Sequence, residues 1–150
     1  MNLLASLLSR LGGSSARRQL AALYRTQAVI EFDTQGTVLS ANAAFLSLMH
    51  YTLDQVRGQH HRLFVDPAEH QGAGYAAFWD QLRRGEPFVG RCRRIAGDGQ
   101  EVWLQANYCP VVDARGHVVK VVKYAMDISA EVKRDAEANS QLARWAERRR

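Results

Sequence analysis

Cysteine is scarce: Cys92 and Cys109 are the only two in 150 residues. With no secretory signal, so few cysteines read as reduced cytosolic thiols and not as a disulfide framework. Uninterrupted hydrophobic runs are missing as well. The leucine-rich stretch from Leu3 to Leu11 is broken by Ser6, Ser9 and Arg10. A bilayer span takes about 20 apolar residues, and no basic segment or small-residue cleavage site marks a leader. The expectation is a soluble, cytoplasmic protein with no membrane span. Metal-ligand spacing is also absent, because His50, His60, His61, His70 and His117 fall in no Cys/His pattern. No Ser, His or Asp sits in a nucleophile-elbow, P-loop or zincin context, so no enzyme activity is expected.

Charge of one sign is not concentrated either. Lys+Arg 20 against Asp+Glu 15 gives +5, spread over the chain. Arg83, Arg84, Arg91, Arg93 and Arg94 form the densest basic group, but they lack interleaved aromatics. A solvated face or a phosphate contact is expected there, and no nucleic acid.

What is present is a core. Hydrophobic residues make up 47% and aromatics 9%, enough for one ordinary domain with helical extensions. Phe88 to Ser129 reads as three long strands, rich in β-branched and aromatic residues, reversed at Gly97-Asp98-Gly99 and at Asp113-Ala114-Arg115-Gly116. Ahead of them, Ala28 to Asp33 and Val38 to Ala41 read as a shorter strand pair around Thr34-Gln35-Gly36. Short helices are expected between the two sets. Asn42 caps Ala43–His50, Thr52 caps a helix through Val56, and Gly74–Arg84 presents Tyr75, Phe78, Trp79 and Leu82 on one face. His60 to Pro67 reads as irregular, stopped by the proline. The class is α+β, a five-stranded antiparallel sheet with helices on one face.

The ends read as helices. Leu3, Leu4, Leu7, Leu8 and Leu11 lie on one stripe, with Gly12-Gly13 as a stop, and Ala16–Thr26 would bury Leu20, Leu23 and Tyr24. Beyond Ser129 the chain is charged and helical, with a seam through Ile128, Val132, Asp135, Asn139, Leu142 and Ala146 that is weak because two of the six are polar. Three segments follow: 1–27 as an N-terminal helical extension, 28–129 as the domain proper, and 130–150 as a C-terminal signalling helix.

Taken together, several short motifs resemble a known family. Asp33-Thr34-Gln35-Gly36, Ser40-Ala41-Asn42-Ala43-Ala44-Phe45, Gly58, Trp103 to Pro110 and the closing Asp127-Ile128-Ser129 resemble a PAS domain. The closing triplet is similar to the Asp-Ile-Thr signature at which PAS cores hand over to an output helix. His60 to Pro67, Phe78-Trp79 and Arg84-Gly85-Glu86 are most similar to bacterial chemoreceptors of the energy-taxis and biofilm-dispersion kind. The resemblance implies a PAS fold, a sensory role in redox or oxygen sensing, and a homodimer through the flanking helices. It also implies a downstream methyl-accepting chemotaxis-type output domain.

It further implies a cofactor between sheet and helices, FAD in the first place. Trp79 matches a tryptophan of flavin-binding aerotaxis receptors, where an indole can stack on a planar ring or block its edge. Asn42 matches an asparagine that affects flavin binding there, besides being a natural N-cap. His61 matches the histidine of their Gly-Gln-x-His segment and would bond a flavin edge or phosphate, or sit at the surface. Arg62 would supply charge for the pyrophosphate, since Val65-Asp66 stand where those receptors have an Arg-His pair. Arg94 replaces an asparagine able to bond the flavin amide edge, and Phe64 and Asn107 complete the candidate set. The cysteines lie outside the Asn-Cys-Arg motif of light-sensing PAS domains, so no photo-adduct is expected. Haem b is the alternative, with His70, His61 or His60 as axial ligand. The third reading is a cofactor-free dimerisation module, its interior filled by Phe64, Phe78, Trp79 and Leu104.

Overall fold

Along Glu101–Val112 the side chains of Val102, Leu104, Ala106 and Tyr108 are buried, and those between them are not. That alternation follows from the two-residue repeat of a strand, and it fixes one face of the sheet as the floor of the molecule. In the computed structural model, which describes residues 13–149, the strands are β1 (Ala28–Phe32), β2 (Val38–Ala41), β3 (Phe88–Ile95), β4 (Glu101–Val112) and β5 (Val118–Asp127). They form one antiparallel sheet in the order β2-β1-β5-β4-β3. The three-stranded meander is as the sequence predicts. Pairing of β1 with the free side of β5 then makes β5, and not β4, the middle strand of the whole sheet. Ala28, Ile30, Phe32, Cys92, Val121 and Ala125 complete the apolar floor.

Before and between the strands run α1 (Gly13–Thr26), α2 (Ala43–Met49), α3 (Leu53–Val56), a 3-10 turn (His61–Phe64), α4 (Pro67–His70) and α5 (Ala73–Arg83). The short ones are made by caps more than by propensity. Thr52 and Gln55 form a reciprocal capping box on α3. The segment read as irregular is structured at both ends. His60 caps the 3-10 turn through Arg62 N–H, and Asp66 caps α4 through Ala68 N–H. Pro67 therefore starts a helix instead of ending one, because its missing N–H is no loss at the first helical position. Phe45, Met49, Val56, Phe64, Trp79 and Leu82 come down from these helices onto the sheet.

The β3–β4 turn is pressed against the end of α2. Gly97 N–H donates to the Met49 carbonyl at 2.8 Å, and a Cβ at residue 97 would collide with the His50 carbonyl oxygen. Gly97→Ala is expected to destabilise the fold by about 2–3 kcal/mol, as overpacking against a fixed backbone does. A lowered denaturation midpoint is the readout, and an unchanged one would show that the turn can move aside.

The flanking helices depart from expectation in burial. Leu20 and Leu23 of α1 are 50% and 47% exposed, and only Tyr24 is part-covered, its hydroxyl donating to Glu31 at 2.7 Å. The stripe from Leu3 to Leu11 lies outside the described residues. Past β5, α6 (Ser129–Glu147) is one helix with no buried residue. Its start is fixed to β4: Ile128 N–H donates to the Trp103 carbonyl at 2.8 Å and Trp103 N–H to Ser129 Oγ at 3.0 Å. Among the described residues, no helix is long and apolar enough to cross a membrane.

Candidate functional site

Between the floor and α5 lies an interior that is aromatic and, unusually, cationic. His61 is fully buried at the start of the 3-10 turn. Its Nε2 is 2.9 Å from the Tyr108 hydroxyl and its Nδ1 2.8 Å from that of Tyr75. Arg94 Nη2 donates to the same Tyr108 hydroxyl at 3.2 Å. A guanidinium only donates, so the Tyr108 oxygen accepts from Arg94 and its proton is free to go to His61 Nε2, in which tautomer His61 Nδ1–H donates to Tyr75. The chain Arg94, Tyr108, His61, Tyr75 thus ties β3, β4, the 3-10 turn and α5 together.

Burial sets the charge states. It holds His61 well below the ordinary histidine range, aided by the positive charges of Arg94 and Lys123, so the imidazole is neutral. Tyr75 and Tyr108 are each pushed up to about 12 by burial and keep their protons. Lys123 is brought down to about 7, first by burial and then by Arg94. Around these groups the rings meet edge to face, with Phe78 on Tyr108 at 4.9 Å, Phe32 on His61 at 5.3 Å and His61 on Trp79 at 5.3 Å between centroids.

Among the described residues two buried donors, Trp79 Nε1 and Arg94 Nε, have no acceptor in good hydrogen-bond geometry, although the Trp79 indole lies close enough to the Tyr75 hydroxyl to bear on its titration. Such orphans are uncommon in a packed interior. Next to Arg94 an open cleft of about 510 Å³ runs along the edge strand β3, lined by Tyr75, Phe78, Phe88, Cys92, Arg94 and Trp103 among others. On the far side of Tyr75 and Trp79 lies a second, more polar hollow of about 510 Å³, with His60, Arg62, His70 and Arg83 on its wall.

The sequence-predicted candidates divide accordingly. Trp79, His61 and Arg94 meet in the interior. Phe64 is in the core but turned toward Phe45 and Tyr51. Arg62 is exposed on the polar hollow with His60 and the half-buried His70. Asn42 is elsewhere, its Oδ1 accepting from Val29 and Phe45 N–H and its Nδ2 donating to the Tyr24 and Gln27 carbonyls. Asn107 does not reach the interior at all. It is exposed on the outer face, because its neighbours Ala106 and Tyr108 take the inward positions of β4. The arginine group corrects likewise. Arg83, Arg84, Arg91 and Arg93 are on ion pairs with Asp80, Glu86, Asp135 and both Asp66 and Glu101, but Arg94 is 4% exposed and inside. Sequence reasoning missed Lys123 and Tyr108. Alternation gave the signal, since Val121-x-Lys123-x-Ala125 and Leu104-x-Ala106-x-Tyr108 share the inward phase.

Residues 25–133 match the PAS fold family. The chain belongs to the PAS family. The resemblance to receptor PAS domains is also found: the biofilm dispersion protein BdlA of Pseudomonas aeruginosa is 47% identical over 123 residues, 82% of this chain and 30% of that protein. The aerotaxis receptor of Escherichia coli is 32% identical over 80 residues, 53% of this chain and 16% of that receptor. The chain thus spans less than a third of the length of these relatives. Among solved structures, a PAS domain from Colwellia psychrerythraea aligns with a TM-score of 0.66 at 20% identity, covering 77% of this chain and 98% of that one. An RNA-binding light-oxygen-voltage receptor aligns with a TM-score of 0.71 at 22% identity, covering 89% and 39%. At those identities the likeness establishes the fold alone.

Proposed function

We propose that this PAS domain is the sensory unit of a cytoplasmic chemoreceptor-type protein. On this reading it senses redox or oxygen through bound FAD and passes its state through α6 to a methyl-accepting output domain. The observation that carries the proposal is Arg94, whose buried Nε has no acceptor among the described residues and whose side chain lines the cleft beside Tyr75, Phe78 and Phe88. An isoalloxazine ring offers carbonyl and imine acceptors along one edge and a flat face for stacking, so the donor set fits it. The adjoining cleft of about 510 Å³ is in the range of small-molecule sites, roughly 300–1,000 Å³.

Trp79, Tyr75 and Phe78 would hold the ring, with Arg94 and His61 on its polar edge. Arg62, exposed on the polar hollow, would meet the phosphates. When bound, the flavin supplies reversible electron uptake. The protein's part would be to orient the ring and keep water from it, with Arg94 as the donor that lines the cleft. Trp103 borders the cleft and bonds both Ile128 and Ser129, so displacement at the cleft bears on the start of α6. Leu20, Leu23, Leu142 and Trp145, all about half exposed or more, support a homodimer through the flanking helices.

Haem has less support. Both nitrogens of His61 and both of His60 are engaged in hydrogen bonds, which leaves His70 on the outer hollow. The cofactor-free reading has a specific observation behind it: Phe64, Trp79 and Leu104 are buried and pack the interior. The absorption spectrum of the protein after incubation with FAD and removal of free cofactor decides among them. A flavin doublet is expected, lost at least tenfold in Trp79→Ala. A Soret band in protein as purified supports haem, and a colourless protein after reconstitution overturns the flavin reading.

A further inference from the structure

Lys123 has no part in the contacts proposed above, yet it stands at the centre of the floor. It pairs with Ile30 of β1 on one side and Tyr108 of β4 on the other. It is 1% exposed, as buried as the apolar residues around it. Its Nζ lies 4.8 Å from the centroid of the Tyr108 ring and 6.0 Å from that of Phe45. The charged or titratable groups that act on it are Arg94 and the Cys92 thiol, and no carboxylate is among them. Arg94 holds the same tyrosine from its other end, by the hydroxyl, and keeps one buried N–H unpaired. The carboxylate within reach of Arg94 is Glu69, at 3.4 Å with its side chain 47% exposed.

A guanidinium and a lysine amine thus flank one phenol, and among the described residues no carboxylate is buried to a comparable degree. Desolvating such charges costs several kcal/mol each unless a partner offsets it. An apolar side chain at position 123 would avoid that cost, so the lysine is explained by something that brings negative charge into the interior.

We propose that Lys123, together with Arg94, makes this interior selective for its ligand in the negatively charged, reduced state. The inference rests on the flavin reading and deepens it. Positive charge near the ring is one of the levers by which a protein tunes a bound flavin. In a dry interior that charge acts over several ångströms with little screening. Lys123 acts from behind Tyr108, as a positioned charge and not as a ring contact. Its strand runs on to Asp127, whose carboxylate accepts from Ser129 N–H at the first residue of α6.

The test is a dye-equilibrated reductive titration, with dithionite as electron donor, of the FAD-loaded wild type, Lys123→Met and Lys123→Arg at one pH. Lys123→Met is expected to bind FAD and to favour the oxidised form at least tenfold more than wild type. That is a potential lower by about 30 mV for the two-electron couple. Lys123→Arg is expected to stay within threefold of wild type. Lys123→Met that binds FAD with an unchanged or higher potential overturns the inference and leaves the flavin reading standing. A wild type that takes up no FAD overturns both.

Discussion

Replacing Lys123 with methionine is expected to stabilise the folded protein at pH 7 by about 2–4 kcal/mol. The ammonium is fully enclosed, and burial with the Arg94 charge lowers its pKa from 10.5 to about 7. Each unit of such a shift is about 1.4 kcal/mol, so the full depression is on the order of 5 kcal/mol. Loss of the contact with the Tyr108 face offsets about 1–2 kcal/mol of the gain. Methionine fills the same unbranched volume with no charge to desolvate. The sign against pH follows from proton counting. Between pH 7 and pH 9 the unfolded chain keeps this proton and the folded chain releases it, so wild-type stability rises with pH. Two pH units carry about 2 kcal/mol. His61 adds a limb at lower pH, since its folded pKa is depressed, so stability falls as the pH drops below its ordinary 6.5. Denaturant titrations at pH 7 and 9 check both parts. Lys123→Met should lie above wild type at pH 7 and lose the slope between the two. A variant less stable than wild type at pH 7 would mean that the amine has an anionic partner. Greater stability combined with a lower flavin potential would be a stability–activity trade of the usual kind.

Asn42→Ala carries the other large effect, a loss of about 3–4 kcal/mol. All four hydrogen-bonding positions of this side chain are used: two acceptor bonds of 3.0 Å from Val29 and Phe45, and two donor bonds of 2.6 Å to Tyr24 and Gln27. Losing the N-cap of α2 alone costs about 1 kcal/mol. Each further bond adds about 0.5–1.5, more where a backbone group is left buried and unpaired. Because two of the bonds reach the end of α1, trypsin should cut at Arg25 faster in the variant than in wild type. Asn42→Ser keeps the cap and loses the donors, and should fall between the two. A stability within 0.5 kcal/mol of wild type for Asn42→Ala would show that α1 and β1 do not depend on this residue. A drop in flavin content beyond the unfolded fraction would return Asn42 to the cofactor site.

The candidate site was legible in part. Trp79 and His61 were found through family motifs, and the structure brings them together at 5.3 Å between ring centroids. Arg94, an aligned replacement in the same motifs, is in the interior because Cys92 and Arg94 take the inward phase of β3. Asn107 was misassigned by one residue of that same alternation. Lys123 went unread because a lysine in a strand is ordinarily a solvated residue, although its place between Val121 and Ala125 puts it in the inward phase of β5.

The sequence by itself determined the parts whose causes are local. Turn glycines and aspartates placed the β3–β4 and β4–β5 reversals, caps at Asn42 and Thr52 placed α2 and α3, and alternation gave the strands their two faces. The family was readable too, as a sum of short motifs. Tertiary structure alone decided what depends on residues far apart in the chain. Pairing of β1 with β5 made β5 the central strand. The convergence of residues 61, 75, 94, 108 and 123 made one buried cluster from five separate elements. The charge states of Lys123 and His61 were decided there as well, because desolvation is a property of the surrounding packing and not of the neighbours in sequence.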